Sequence, residues 1–150
     1  MKIEVKEQKP QSTLSIRVRT PQKNLPNIIG ESYHKIADYL NELGEQPSDV
    51  PFTAYYNIDM QDLDVEMGFP VSRVLPGKGD IKASEIEQGK IVSYMYKGPY
   101  SAMEPVYNEI FKWMSEKGYQ PKGVYYEYYY NAPDEVPESE LQTRIVIPIN

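Results

Sequence analysis

Gly44-Glu45-Gln46-Pro47 and Gly118-Tyr119-Gln120-Pro121 decide the fold, because they set one pattern at two places 74 residues apart. The same shift pairs Ile36 with Ile110, Leu40 with Met114, Tyr55 with Tyr129 and Asn57 with Asn131. One offset therefore covers a helix, a loop and a strand. Farther along it grows to 78, pairing Pro70 with Pro148, as a second loop longer by four residues requires. Self-similarity at a fixed period is the mark of a repeated structural unit.

Working outward, the periodicity alternates between two and about 3.6. Residues 2–8 and 13–19 read as strands, with Leu14, Ile16 and Val18 alternating against Ser15, Arg17 and Arg19. From about Asn27 to Leu43 the apolar positions Ile29, Tyr33, Ile36, Ala37 and Leu40 recur at helical spacing, and Gly44 supplies a stop. Phe52 to Ile58 and Leu63 to Val71 predict a hairpin around Asp59-Met60-Gln61-Asp62. Leu75-Pro76-Gly77-Lys78-Gly79-Asp80 connects the halves. Its GxG fragment lacks the third glycine and the helix of a dinucleotide fingerprint.

The second half follows suit. Ile81 to Glu85 and Lys90 to Lys97 predict strands, and Gly98-Pro99-Tyr100 turns the chain. Ser101 with Glu104 has the form of a capping box before a helix that carries Met103, Val106, Tyr107, Ile110, Trp113 and Met114 and stops near Gly118. Val124 to Asn131 and Gln142 to Ile149 close the set. These elements predict an α+β fold: one domain, residues 1–150, made of a duplicated strand-helix-strand-strand unit with pseudo-two-fold symmetry, antiparallel sheet and halves of about 1–74 and 79–150.

Composition excludes several functions. The 22 acids against 16 bases give a net charge of -6 with no long basic run, which argues against direct nucleic-acid binding. With no cysteine and a single His34 there is no disulfide scaffold, thiol chemistry or His/Cys zinc set, so no metal or cofactor is expected. No apolar run reaches the roughly 20 residues that span a bilayer. The charged N-terminus lacks the core of a signal peptide, and the expected location is the cytoplasm.

The chemically informative stretch is Val124-Tyr125-Tyr126-Glu127-Tyr128-Tyr129-Tyr130-Asn131. On a strand Tyr125, Glu127 and Tyr129 share one face and Tyr126, Tyr128 and Tyr130 the other. An unpaired carboxylate among rings is costly and is tolerated more readily when a cation comes to meet it. The 74-residue shift puts Thr53 in the place of Glu127, so the acid belongs to one half only.

Tyr55-Tyr56-Asn57-Ile58-Asp59, Asp64-Val65-Glu66-Met67-Gly68-Phe69-Pro70-Val71, Gly98-Pro99-Tyr100, the Trp113 helix, Glu127-Tyr128-Tyr129-Tyr130-Asn131-Ala132-Pro133 and Ile147-Pro148-Ile149 together resemble the GyrI-like, or AraC-type effector-binding, small-molecule-binding domain. That family occurs alone and fused to DNA-binding segments in multidrug-responsive regulators. The resemblance implies a ligand cleft between two similar halves, with Glu127 at its base meeting lipophilic cations. Tyr96 and Ala132 depart from the usual histidine and aspartate, which leaves ligand identity open. Residue 1 is already near the first strand, so a standalone form without a helix-turn-helix is expected.

The candidate ligand contacts are Glu127, Tyr129, Tyr125 and, as an opposing wall, Tyr55, with Tyr96, Trp113 and Glu66 added. Each has an ordinary alternative. Tyr96 fits a cleft hydroxyl or sheet packing, Trp113 fits a core anchor, and Glu66 fits a solvated face shared with Asp62 and Asp64. Tyr107 reads as core. The first functional expectation is binding of a lipophilic cationic or aromatic compound, for sensing or sequestration. The second is a hydrolase of strained electrophiles of the cyclopropane type, with Glu127 as general base and Tyr55, Tyr96 or Tyr129 as proton donor. The third is an acidic, gyrase-type inhibitor of a protein partner. A separate regulator is a further possible partner.

Overall fold

Alternating apolar residues on short segments and apolar stripes on two longer ones produce eight antiparallel strands and two main helices in the computed structural model, which describes residues 1–150. In chain order these are β1 (Glu4–Gln8), β2 (Gln11–Thr20), α1 (Leu25–Glu42), β3 (Phe52–Tyr55), β4 (Leu63–Pro70), β5 (Lys82–Ile86), β6 (Gly89–Lys97), α2 (Met103–Lys117), β7 (Tyr125–Tyr129) and β8 (Gln142–Pro148). The fold is α+β, as the sequence predicts.

Two compact units result, one of Lys9–Gln88 and the other of Met1–Gln8 with Gly89–Asn150. The first unit orders its strands β3-β4-β2-β5 and the second β1-β6-β8-β7. The first strand of each repeat has been exchanged: β1 pairs with β6, Glu4 opposite Ser93, and β5 pairs with β2, Gln11 opposite Ile86. The halves read from the sequence left each of these strands with its own repeat. Strand pattern records which face is apolar but not which edge will accept the strand.

The register carries the duplication. Thr13 faces Pro70 across β2 and β4, and Ile91 faces Pro148 across β6 and β8, each residue displaced by 78. Thr53 faces Met67 across β3 and β4, and Glu127 faces Ile145 across β7 and β8, so Thr53 and Glu127 are equivalent positions.

In the first unit α1 packs on β2 and β4. Leu14 and Ile16 meet Ile36, Tyr39 and Leu40, while Leu63, Val65 and Met67 meet Leu25. In the second, Ile110 and Met114 of α2 meet Val92, Ile145 and Ile147. The repeat partners Ile36 and Ile110 are both 0% exposed, and Leu40 and Met114 both 1%. Each such side chain contributes about 1.5–3 kcal/mol by leaving water.

The helix ends follow local chemistry. Gly44 at φ 70° and Gly118 at φ 79° take the left-handed turn that ends each helix. At the start of α2 the expected capping box does not form: Ala102 occupies the cap and no side chain bonds to it. A 3-10 turn over Tyr100–Ala102 precedes the helix, as Gln22–Asn24 precedes α1. The backbone bonds Asn24 N to Pro21 O and Ala102 N to Pro99 O, both 3.1 Å, take the place of a side-chain cap. Pro105 lies in the first turn, where its missing N–H costs nothing.

Candidate functional site

Glu127 is the middle residue of the five-residue β7, on the face covered by α2. One turn of α2 brings Tyr107 over it, and the Tyr107 hydroxyl donates to Glu127 Oε2 at 2.6 Å. Two residues along the strand, the Tyr129 hydroxyl donates to Oε1 at 2.8 Å. Both carboxylate oxygens are therefore held, and no basic side chain pairs with the acid.

Rings continue the site on either side. Tyr100 meets Tyr129 edge-on with centroids 5.8 Å apart. Phe111 stacks on Tyr107 at 6.0 Å and receives Tyr125 edge-on at 5.6 Å. Tyr100 is 41% exposed, which puts it at the rim, while Glu127 keeps only part of its surface accessible.

The electrostatics follow from that enclosure. Burial disfavours the charged form and raises the Glu127 pKa, and the hydroxyls of Tyr107 and Tyr129 oppose the rise by stabilising the carboxylate. Tyr100 is also raised, first by burial and then by the negative charge of Glu127. The site holds an acid whose proton affinity is increased, two hydroxyl donors on its oxygens and an aromatic rim. It can attract a cation when ionised, or accept a proton from water.

The equivalent position in the other unit shows what the duplicated scaffold does without this chemistry. Tyr33, the repeat partner of Tyr107, bonds Thr53 at 2.9 Å, and Thr53 is 0% exposed. By register, Val18 and Val65 stand where the second unit has Tyr96 and Thr143. Thr143 is fully buried and its hydroxyl finds no partner. The two units share one frame, and at matched positions on its helix-facing side the second has Glu127, Tyr96 and Thr143 where the first has Thr53, Val18 and Val65.

The other expected residues are distributed differently. Tyr125 lies on the Glu127 face and packs on Phe111. Tyr96 is 7% exposed and its hydroxyl donates to Pro99 O at 2.8 Å, so it braces the turn before α2. Trp113 stacks on Tyr119 with centroids 5.9 Å apart, on the side of the α2 core. Near it, Met114, Gly118 and Pro121 line a hollow of about 360 Å³ that does not include Glu127.

Tyr55 and Glu66 belong to the other unit. Tyr55 packs on the cluster of Leu63, Val65 and Met67. Glu66 is 7% exposed and accepts from the Ser15 and Tyr56 hydroxyls, each at 2.5 Å. The row of acids beside it is not simply solvated. Arg17 grips Asp64 through two bonds of 2.9 and 2.8 Å, raising its own pKa and lowering that of Asp64, and Arg19 reaches Asp62 at 2.7 Å.

Tyr107 and Tyr100 were not legible as site residues. Helical spacing places Tyr107 on the core side, where a tyrosine normally serves packing. Its displacement of 74 from Tyr33 and of 20 from Glu127, matching Tyr33 and Thr53, was the available signal.

Comparison with known proteins adds a family and a set of folds. The GyrI-like small-molecule-binding domain matches over residues 1–150. Comparison with the curated proteins gave no match. Among solved structures, EcmrR in a complex with DNA superposes with a TM-score of 0.83 at 21% identity, covering 99% of this chain and 57% of that one. The EcmrR C-terminal domain alone gives 0.77 at 20% identity, with 99% and 97% covered. A hydrolase from Listeria innocua gives 0.72 at 16%, with 99% and 92% covered. SAV2435 bound to tetraphenylphosphonium gives 0.72 at 10%, with 100% and 94% covered. This chain thus spans little more than half of the EcmrR chain seen with DNA.

Proposed function

Because the chain belongs to the GyrI-like small-molecule-binding domain family, we propose that it binds lipophilic cationic or aromatic compounds at Glu127, for sensing or sequestration. One observation carries this reading: a carboxylate drawn partly out of water, with both oxygens held by Tyr107 and Tyr129 and no basic side chain beside it. Such a charge is offset best by a cation supplied from outside. Rings at Tyr129, Tyr100 and Phe111 offer π faces, each favourable cation–π contact contributing about 0.5–2 kcal/mol. Stacking and charge impose little directionality, so the site tolerates varied shapes. Tetraphenylphosphonium, the ligand of SAV2435, is the natural first probe.

A second reading is supported by the raised proton affinity of Glu127 and the two hydroxyls on its oxygens. In it Glu127 removes a proton from water as the water oxygen bonds to a strained ring carbon; that carbon's ring bond breaks, and Tyr107 or Tyr129 protonates the atom of the electrophile that takes up the electron pair. The Tyr96 hydroxyl bonds Pro99 O and not Glu127, so it fits that donor role less well. The fold likeness to the Listeria innocua hydrolase is consistent with this chemistry but does not carry it.

The deciding experiment incubates wild type and Glu127→Gln with lipophilic cations and neutral strained electrophiles and follows each compound by mass spectrometry. Unaltered cations retained by wild type and released by the variant are expected. Repeated turnover to a water-added product, lost in the variant, would replace binding with hydrolysis.

A further inference from the structure

Arg17, Arg19 and Arg73 each meet a carboxylate, and Arg144, the fourth arginine of the chain, meets none. Among the arginines it is the exception. Arg144 lies on β8, on the opposite face from Ile145 and therefore from Glu127. Its Nε donates to the Tyr130 hydroxyl at 3.1 Å, and Nη1 reaches Ser93 Oγ at 3.5 Å. The guanidinium lies over the Tyr128 ring, 4.7 Å from its centroid. A guanidinium has five N–H donors, so most of the fork remains open.

The repeat explains why this arrangement exists. Ser15, Tyr56 and Glu66 occupy in the first unit the positions of Ser93, Tyr130 and Arg144 in the second. In the first unit the central residue is a carboxylate that accepts from both hydroxyls. In the second the same hydroxyl pair surrounds a cation and helps to fix its orientation. A held carboxylate closes its site, whereas a held guanidinium leaves N–H groups pointing outward from a fixed plane.

We infer that Arg144, Ser93 and Tyr130 form a binding site for the oxyanion group, carboxylate or phosphate, of a small ligand. The Tyr128 ring limits the guanidinium's motion, and Nη1 and Nη2 present a fork that matches two oxygens. Glu4, opposite Ser93 on β1, is the nearest acid on this face by register, and Lys6 lies 3.4 Å from it and offsets its charge. The site is independent of Glu127, which faces the other side of the same strands.

The test titrates the full chain with sodium acetate and, separately, with inorganic phosphate at constant ionic strength, following the Arg144 side-chain N–H and the Ser93 and Tyr130 amides by NMR. Saturable shifts are expected. Acetate alone would mark a carboxylate site, phosphate alone a phosphate site, and both a general oxyanion site. Arg144→Gln should weaken binding on the order of tenfold or more, and Ser93→Ala several-fold. Arg144→Lys, which keeps charge without the fork, should fall between wild type and Arg144→Gln, and serves if the glutamine variant does not fold. Shifts that drift linearly without saturation, or amide shifts unchanged in both Arg144 variants, would overturn the site.

Discussion

Replacing Glu127 by Gln keeps the shape of the side chain and removes its charge, so it isolates the electrostatic part of ligand binding. A cation centred about 5 Å from the carboxylate, at an effective dielectric constant of about 20, gains about 3 kcal/mol. Desolvation of both charges takes back a share, and a net loss of about 1.5–2 kcal/mol is expected, on the order of 10- to 30-fold in affinity. The hydroxyls of Tyr107 and Tyr129 can rotate to suit the amide, so the pocket should persist. The assay is calorimetric titration at pH 8 with tetraphenylphosphonium and its anionic shape match, tetraphenylborate, with triphenylphosphine oxide as the neutral comparator. The variant should lose affinity for the cation, change little toward the oxide and gain affinity for the borate. An equal fall for all three would mean that the substitution damaged the pocket, and no change in any would remove Glu127 from the site.

Other predictions follow from the same geometry. Cation affinity should rise with pH through the raised Glu127 pKa, by the same roughly 10- to 30-fold in all, and be flat in Glu127→Gln, as titrations from pH 4 to 8 can read. The linked stability runs the other way: the folded state holds the Glu127 proton more tightly than the unfolded chain. Stability from this group is full below the unfolded carboxyl pKa and falls as pH rises through the folded one, a slope that denaturant melts should find missing in the glutamine variant. Tyr107→Phe removes the bond to Oε2 and should raise the Glu127 pKa further while costing about 1–2 kcal/mol at neutral pH, checked by side-chain NMR titration and urea melts. Gly68→Ala should destabilise by several kcal/mol, on the order of a severe overpacking change, because the added Cβ would lie 2.6 Å from Leu14 O and 2.8 Å from Ser15 Cβ; thermal melts would show it.

The duplication itself was legible because it rests on local signals. Gly44 and Gly118 end helices for the same backbone reason, and Ile36 with Ile110 bury the same stripe. The capping box at Ser101 was misread because two hydroxyl and carboxyl residues at the right spacing do not reveal that a 3-10 turn after Pro99 already ties down the backbone. The exchange of β1 and β5 was hidden for a related reason. A strand's sequence specifies its faces, while its pairing partner lies far along the chain, Glu4 opposite Ser93 and Gln11 opposite Ile86.

For the site, sequence alone determined that Glu127 shares a strand face with Tyr125 and Tyr129 and that Thr53 replaces it in the other repeat, since both follow from alternation and a fixed offset. Only the tertiary structure decided which hydroxyls reach the carboxylate. Tyr107 arrives from a helix twenty residues away, Tyr96 turns instead to Pro99, and Glu66 accepts from Ser15 and Tyr56 while Arg144 donates to Tyr130. Period and propensity act over one or two turns of chain, whereas a hydrogen bond between a helix and a strand depends on how the two pack, and packing is a property of the whole fold.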